Sequence, residues 1–340
     1  MSRIKEKSER RVEQRSTGRL PRLAGAVAAA AALGLLATGP ASGDEPTVSH
    51  PRIIAHFDFA AGQTPENIAL ESDGSADLTF AYARQIAHVT HTGDTRILAT
   101  LPAVANPSTP KVGAAVVLGI ARAHDGALYV NYATGTSETG IWRLGTDGSA
   151  PVQIAKLPTN GFPNGLALDE RRGVLYAADS VRGTVWSVPR TGGEPTAWAV
   201  GSVLNPLPAP AAGFGANGLR FHRDAVWVSN TDTGTLLRIP VRDNGSAGAI
   251  ETRATGLAGI DDFGFVAAHE DTAFAALPVT NQVALVRADG AHTVVLTQQD
   301  GLSNPTAVAV RGRTAYVTSA AYFTQKDPDL LLARLHRRLR

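Results

Sequence analysis

The chain has 340 residues, with 32 Lys/Arg, 30 Asp/Glu, one Met and no Cys. The missing cysteine excludes disulfides, thiolate zinc centres and cysteine nucleophiles, and a single Met excludes a Met-rich adaptive surface. The pI near 9.0 invites a nucleic-acid or membrane-surface reading, but residues 1–43 hold eight basic and three acidic groups, which leaves the other 297 residues at −3.

The basic excess therefore belongs to a leader. Arg3 to Arg22 is basic and polar, Ala24 to Ala37 is uncharged and alanine-rich, and Gly39, Pro40, Ala41, Ser42 and Gly43 follow. A basic region, a short apolar run and a small-residue exit are the pattern of a secretory signal peptide over 1–43, cut before Asp44. A retained anchor is the alternative, although the run is short of the roughly 20 residues that a spanning helix needs. Arg10-Arg11 lacks the flanks of a twin-arginine signal. The expectation is an exported protein over 44–340 with a small-molecule substrate, no nucleic-acid partner and no membrane once the leader is removed.

Past the leader, one phrase recurs six times. Its copies are Pro65-Glu66-Asn67-Ile68-Ala69-Leu70, Leu118-Gly119-Ile120-Ala121, Pro163-Asn164-Gly165-Leu166-Ala167-Leu168, Ala216-Asn217-Gly218-Leu219, Ile260-Asp261-Asp262-Phe263-Gly264-Phe265 and Pro305-Thr306-Ala307-Val308-Ala309-Val310. Most copies are followed by a second β-rich run, such as Leu128-Tyr129-Val130 or Val226-Trp227-Val228. A third run follows, such as Gly183-Thr184-Val185-Trp186, and then a fourth, such as Thr196 to Val200. Four strands in a repeat of about 45 residues make a propeller blade. The predicted fold class is all-β: a six-bladed β-propeller of four-stranded antiparallel blades starting near 65, 117, 163, 216, 261 and 305. The sixth blade reads as three strands, and Arg52 to Asp58 is an orphan strand ahead of the first phrase. It is expected to complete the C-terminal blade and close the ring. Two stacked β-sandwiches are the competing architecture, which the even spacing disfavours.

In a propeller the first strands line the channel, so equivalent positions form a ring. That ring reads Glu66, Leu118, Asn164, Asn217, Asp262 and Thr306, with Asp261 beside it. Carboxylates and amide carbonyls without His or Cys suit Ca²⁺, or another hard divalent cation such as Mg²⁺ or Mn²⁺. The metal set expected is Glu66, Asn164, Asn217, Asp261 and Asp262. Taken singly, Asn164-Gly165 and Asn217-Gly218 are ordinary turn dipeptides, Asp261-Asp262 is a solvated loop and Glu66 after Pro65 caps a turn. Their common phase is what joins them.

With those residues in view, the chain from 44 onward resembles the six-bladed calcium-dependent propeller hydrolases: gluconolactonase and regucalcin, the paraoxonases, and bacterial lactonases. Pro163-Asn164-Gly165-Leu166 and Val174-Leu175-Tyr176-Ala177-Ala178-Asp179-Ser180 look like that group's repeat text. Glu66, Asn164, Asn217 and Asp261-Asp262 are similar to the paraoxonase catalytic-calcium set. The resemblance implies a calcium-dependent lactone or ester hydrolase, with the metal polarising the substrate carbonyl. Asp261 is the expected catalytic base, because Asp262 holds the ring phase.

Two departures stand out. Asn67 and Gly165 occupy the places where paraoxonases put acidic residues for a second calcium, and Leu118 stands where they put a histidine. His124 lies in the following turn and reads as a surface residue. Without that histidine a non-enzymatic binding module with a structural axial metal stays open. The strictosidine-synthase-like branch, metal-free on the same fold, is disfavoured by the acid and amide set. Val203 to Phe214 is an apolar insertion ahead of Asn217, read either as a wall of the channel mouth or as a loop packed on a neighbouring blade. Four tryptophans fall on strands and read as core, and the arginines from Arg334 to Arg340 as a solvated tail.

Overall fold

The computed structural model describes residues 47–211 and 213–336. The leader, Ala212 and the tail beyond His336 lie outside them. The described chain forms twenty-four strands in six four-stranded antiparallel sheets, arranged as a six-bladed β-propeller.

Blade one is β2 (Pro65–Leu70), β3 (Ala76–Phe80), β4 (Gln85–Val89) and β5 (Thr95–Thr100). Blade two is β6 (Val116–Arg122), β7 (Leu128–Ala133), β8 (Gly140–Leu144) and β9 (Val152–Lys156). Blade three is β10 (Pro163–Asp169), β11 (Val174–Asp179), β12 (Thr184–Pro189) and β13 (Thr196–Val200). Blade four is β14 (Ala216–His222), β15 (Ala225–Asn230), β16 (Thr235–Pro240) and β17 (Glu251–Ala254). Blade five is β18 (Phe263–Phe265), β19 (Ala273–Leu277), β20 (Gln282–Val286) and β21 (His292–Leu296).

Blade six joins β22 (Pro305–Arg311), β23 (Thr314–Ser319) and β24 (Asp329–His336) to the first strand, β1 (Thr47–His56). The strand expected to close the ring does so. It pairs antiparallel with β24, Ile53 opposite Leu331 and His56 opposite Asp329.

Why these blades form a ring follows from where their apolar residues go. A four-stranded sheet buries its faces only against another sheet. Each of the six junctions between neighbouring blades carries its own apolar cluster. Phe80, Ile68 and Leu78 of blade one, for example, pack with Tyr316 and Leu330 of blade six. Trp142 and Trp227 are buried in two of these junctions, as core tryptophans should be.

The junctions are also latched by hydrogen bonds around the axis. Thr79 donates to the Leu118 carbonyl at 2.6 Å, Asn131 to that of Asn164 at 2.8 Å, and Ser180 to that of Ala216 at 2.7 Å. Ser229 donates to Asp261 O, the Asp262 amide to Thr306 O at 3.0 Å, and Thr306 Oγ1 to Pro65 O at 2.8 Å. Every blade thus grips the first strand of the next, or, at blade five, a residue just ahead of that strand. Carbonyls are free for this because the pairing register of β2, β6, β10, β14 and β22 slips at the ring position. Such a bulge turns ladder groups out of their own sheet. In blade five β18 begins at Phe263, and the same kind of bulge lies just ahead of it: the Asp261 amide donates to Ala276 O at 3.0 Å and the Ala276 amide to Asp262 O at 2.9 Å, while the Asp262 amide turns to blade six.

Candidate metal centre on the propeller axis

The ring phase of the sequence corresponds to two tiers of polar groups. The upper tier joins Glu66, Asn217 and Asp261, all buried, with Glu66 and Asn217 acting on the Asp261 carboxylate, while Asn164 is buried on the first strand next to that of Asn217. Asn164-Gly165 and Asn217-Gly218 are not turns: each lies inside a first strand. Their glycines mark the close approach of one first strand to the next. A Cβ on Gly165 would stand 2.4 Å from Asn217 O, and one on Gly218 would stand 2.6 Å from Asp261 O.

Glu66 and Asp261 lie close enough for each carboxylate's charge to act on the other or on Asp262. Burial, opposed by a hydrogen bond from Tyr322 and reinforced by the charge of Asp262, raises Glu66 to about 7. Burial, then Glu66 and Asp262, hold Asp261 well above the usual carboxylate range. The Asn217 side chain donates Nδ2 to Thr231 Oγ1 at 2.8 Å. Its Oδ1 is buried and accepts no hydrogen bond. An orphan carbonyl oxygen beside crowded carboxylates is an acceptor surplus, which a hard cation satisfies. The upper tier therefore fits a calcium-type ion. Asn164 donates Nδ2 to Ser180 Oγ at 3.3 Å, so a neighbouring hydroxyl sets its amide.

The lower tier is a protein-only cluster. Asp262 Oδ2 accepts from Asn67 Nδ2 at 2.6 Å and pairs with an Arg220 guanidinium nitrogen at 2.6 Å. Its Oδ1 accepts from the Phe263 amide at 2.7 Å. Burial raises the Asp262 pKa, and Arg220 opposes the rise. Asp262 thus sits with the expected set but gives both oxygens to protein donors. Arg220 also reaches Asn67 Oδ1 at 3.3 and 3.4 Å, so a guanidinium supplies the positive charge at this level. Sequence reading noticed Asn67 only as a missing acid and did not find Arg220 at all. The bulge between Ala216 and Leu219 resets the side-chain alternation, so counting by twos from Asn217 puts Arg220 out of phase.

Around the ring, the blade-two position is apolar. Leu118 clusters with Ala81, Val116, Ala133 and Phe162, with Phe214 and Val181 packed against them. Phe214, the last residue of the insertion, meets Phe162 with ring centroids 5.2 Å apart. The loop is held by Asp232, which accepts from the amides of Leu207, Gly213 and Phe214. The insertion packs on its neighbours: Phe214 meets Phe162 beside the Leu118 cluster. His124 is a surface residue, its side chain 91% exposed.

A second acidic cluster was not legible in the sequence, because its members come from separate parts of blade one. Glu71, Asp77 and His88 bring ligand atoms within 4.8 Å of one another. His88 Nδ1 lies 3.0 Å from Asp77 Oδ1, and burial raises Asp77 to about 6. Arg122 of blade two sits 2.6 Å from Glu71 and 3.8 Å from Asp77. This group could take a metal, but it already holds a cation of the protein's own.

No family model matches the chain, and no curated protein matches it. Solved structures do. The calcium-binding protein regucalcin from Agrobacterium tumefaciens is 17% identical, with 85% of this chain and 96% of that one covered at a TM-score of 0.61. The PQQ-bound aldose sugar dehydrogenase from Streptomyces coelicolor is 15% identical, with 86% and 99% covered at 0.61. An inactive virginiamycin B lyase from Staphylococcus aureus is 17% identical, with 81% and 82% covered at 0.55. Likeness at these identities establishes the six-bladed fold, and three such different neighbours leave the chemistry to be argued from the site.

Proposed function

We propose that the chain is an exported, calcium-dependent hydrolase of lactone or ester type. The observation that carries it is the upper axial tier: an orphaned Asn217 Oδ1 among carboxylates that burial holds above their normal range. Glu66, Asn164, Asn217 and Asp261 would hold the ion. When bound, calcium supplies electrophilic polarisation of a carbonyl and compensates developing negative charge. Asp262 stays tied to Arg220, Asn67 and the Phe263 amide, and fixes the backbone on which Asp261 sits. Asp261 is the base: its carboxylate takes the proton of an attacking water once local positive charge keeps it ionised. Leu118, Phe162 and Phe214 exclude water on one side and suit an apolar acyl or aromatic group. Export rests on the basic and apolar pattern of residues 1–43.

A binding module with a structural axial metal is the second reading. Leu118 favours it, because the buried blade-two ring position offers no proton acceptor. Hydrolysis of a panel of lactones and aryl esters, with calcium and then with chelator, separates the two. Calcium-dependent turnover of any member supports the hydrolase, and none across the panel leaves the binding module. Glu66→Ala and Asn164→Ala are expected to abolish calcium-dependent thermal stabilisation, and an unchanged melting shift in both removes the axial site.

A further inference from the structure

We propose that Tyr322, and not the ring residue Thr306, is the contribution of blade six to the axial site, as a positioning residue that fixes the Glu66 carboxylate for a cation. The inference rests on the axial site being a cation site, but not on the hydrolase assignment.

Thr306 is committed elsewhere. Its hydroxyl donates to Pro65 O at 2.8 Å and lies 3.0 Å from the Thr318 hydroxyl, so it serves the latch between blades six and one. Tyr322 lies on the segment 320–328 that joins β23 to β24. Its phenol donates to Glu66 Oε2, across 256 residues of sequence. A bound cation keeps Glu66 ionised, and an ionised carboxylate only accepts, so the phenol then donates: Oε2 is oriented and Oε1 is left for the cation. Hydrogen-bond partners of ligating carboxylates commonly work in this way.

The backbone of this segment is arranged at a cost. Ala321, Gln325 and Asp327 adopt left-handed conformations, with φ of 56°, 52° and 56°. Non-glycine residues adopt this conformation only against the clash of Cβ with the backbone. The conformation persists because it is held from several directions. Asn304 Oδ1 accepts from the amides of Phe323 and Thr324 at 3.0 and 2.9 Å, while its Nδ2 donates to Pro278 O at 3.0 Å. The Ala321 amide donates to Ser303 O at 2.8 Å, and the Ser303 hydroxyl meets Thr324 Oγ1 at 2.7 Å and Lys326 O. Tyr82 meets the Tyr322 ring edge-on at 6.2 Å and 85°. Strain held by this many contacts is a mark of a segment whose side chain must stay where it is.

The test uses Tb³⁺ as a luminescent calcium surrogate on the full chain, excited through tyrosine and displaced by Ca²⁺. The wild type is expected to show tyrosine-sensitised emission that Ca²⁺ quenches. Y322F should melt within a few degrees of wild type, lose most of the sensitised emission and bind Ca²⁺ about tenfold more weakly, the lower end of such losses. Y82F should keep wild-type Ca²⁺ affinity. Wild-type Ca²⁺ affinity in Y322F, with affinity lost in E66Q, overturns the role of Tyr322 and leaves the axial site standing. Bound Tb³⁺ without tyrosine-sensitised emission in the wild type overturns it independently of any variant. E66Q that binds as wild type removes the site and the inference together. A Y322F defect in binding without hydrolysis of any lactone supports the inference and counts only against the activity.

Discussion

Asn67 donates its amide to Asp262 at 2.6 Å, joining blade one to blade five across the channel. Arg220 of blade four reaches both. Three blades are thereby tied by side chains at the axis, in addition to the latches between neighbours. The Asp262 side chain is only 2% exposed and depends on Arg220 for its charge balance. Removing one partner of such a pair is far more damaging than replacing both. Arg220→Met is expected to lower stability by about 3 kcal/mol, and the double variant R220M/D262L to recover most of that loss. Urea unfolding at neutral pH checks it, and equal losses in the single and double variants would contradict it.

Gly165→Ala and Gly218→Ala are each expected to destabilise by about 2 kcal/mol or more, the upper part of the range for overpacking. The added methyl would meet backbone atoms of the next blade at 2.4 to 2.6 Å, and backbone cannot swing aside as a side chain can. Denaturant midpoints measure the loss. Variants as stable as wild type would show that the first strands do not meet here as described.

These two glycines show how much of the molecule the sequence states. The blade phase was readable because six phrases repeat at even spacing; that phase put Asp262 on the ring with Asp261 beside it, whereas Asp262 is tied to Arg220, Asn67 and the Phe263 amide. Local chemistry was ambiguous, since Asn-Gly serves a turn as readily as a bulged strand. Arg220 and Tyr322 were not readable. The bulge hides the phase of Arg220, and Tyr322 reaches Glu66 from a loop with no repeat counterpart. Long-range partners of that kind carry no local signature.

Asn217→Ala tests the orphan oxygen. Without calcium the variant should lose only about 1 kcal/mol, for the hydrogen bond to Thr231. With calcium it should lose most of the stabilisation that the ion gives wild type. Thermal melts with and without calcium separate the two effects, and an undiminished calcium shift would exclude Asn217 as a ligand.

Asp329 should make stability depend on pH. It is fully buried, and burial, then the charge of Asp327, push it up to about 8 from 3.8, with the Ser319 hydroxyl opposing the rise only weakly. The folded state therefore keeps a proton that the unfolded state releases, so this contribution is complete below about pH 4 and is lost as pH rises through about 8. Asp329→Asn should flatten that decline and melt above wild type at pH 8. Parallel melting curves for the two proteins between pH 5 and 8 would assign the slope to other groups.

The pairing of β1 with β24 also sets an order of events. Residues 47–56 leave the ribosome early, yet their partner, 329–336, follows some 270 residues later. Blades one to five can assemble as they appear, from strands adjacent in sequence, whereas the sixth waits for β24. Until then β1 is an unpaired strand of ten residues, the kind of segment that templates aggregation. The seam that locks the finished ring is thus the slow, exposed step of its making, and a chaperone that shields the first strand would act on the whole fold.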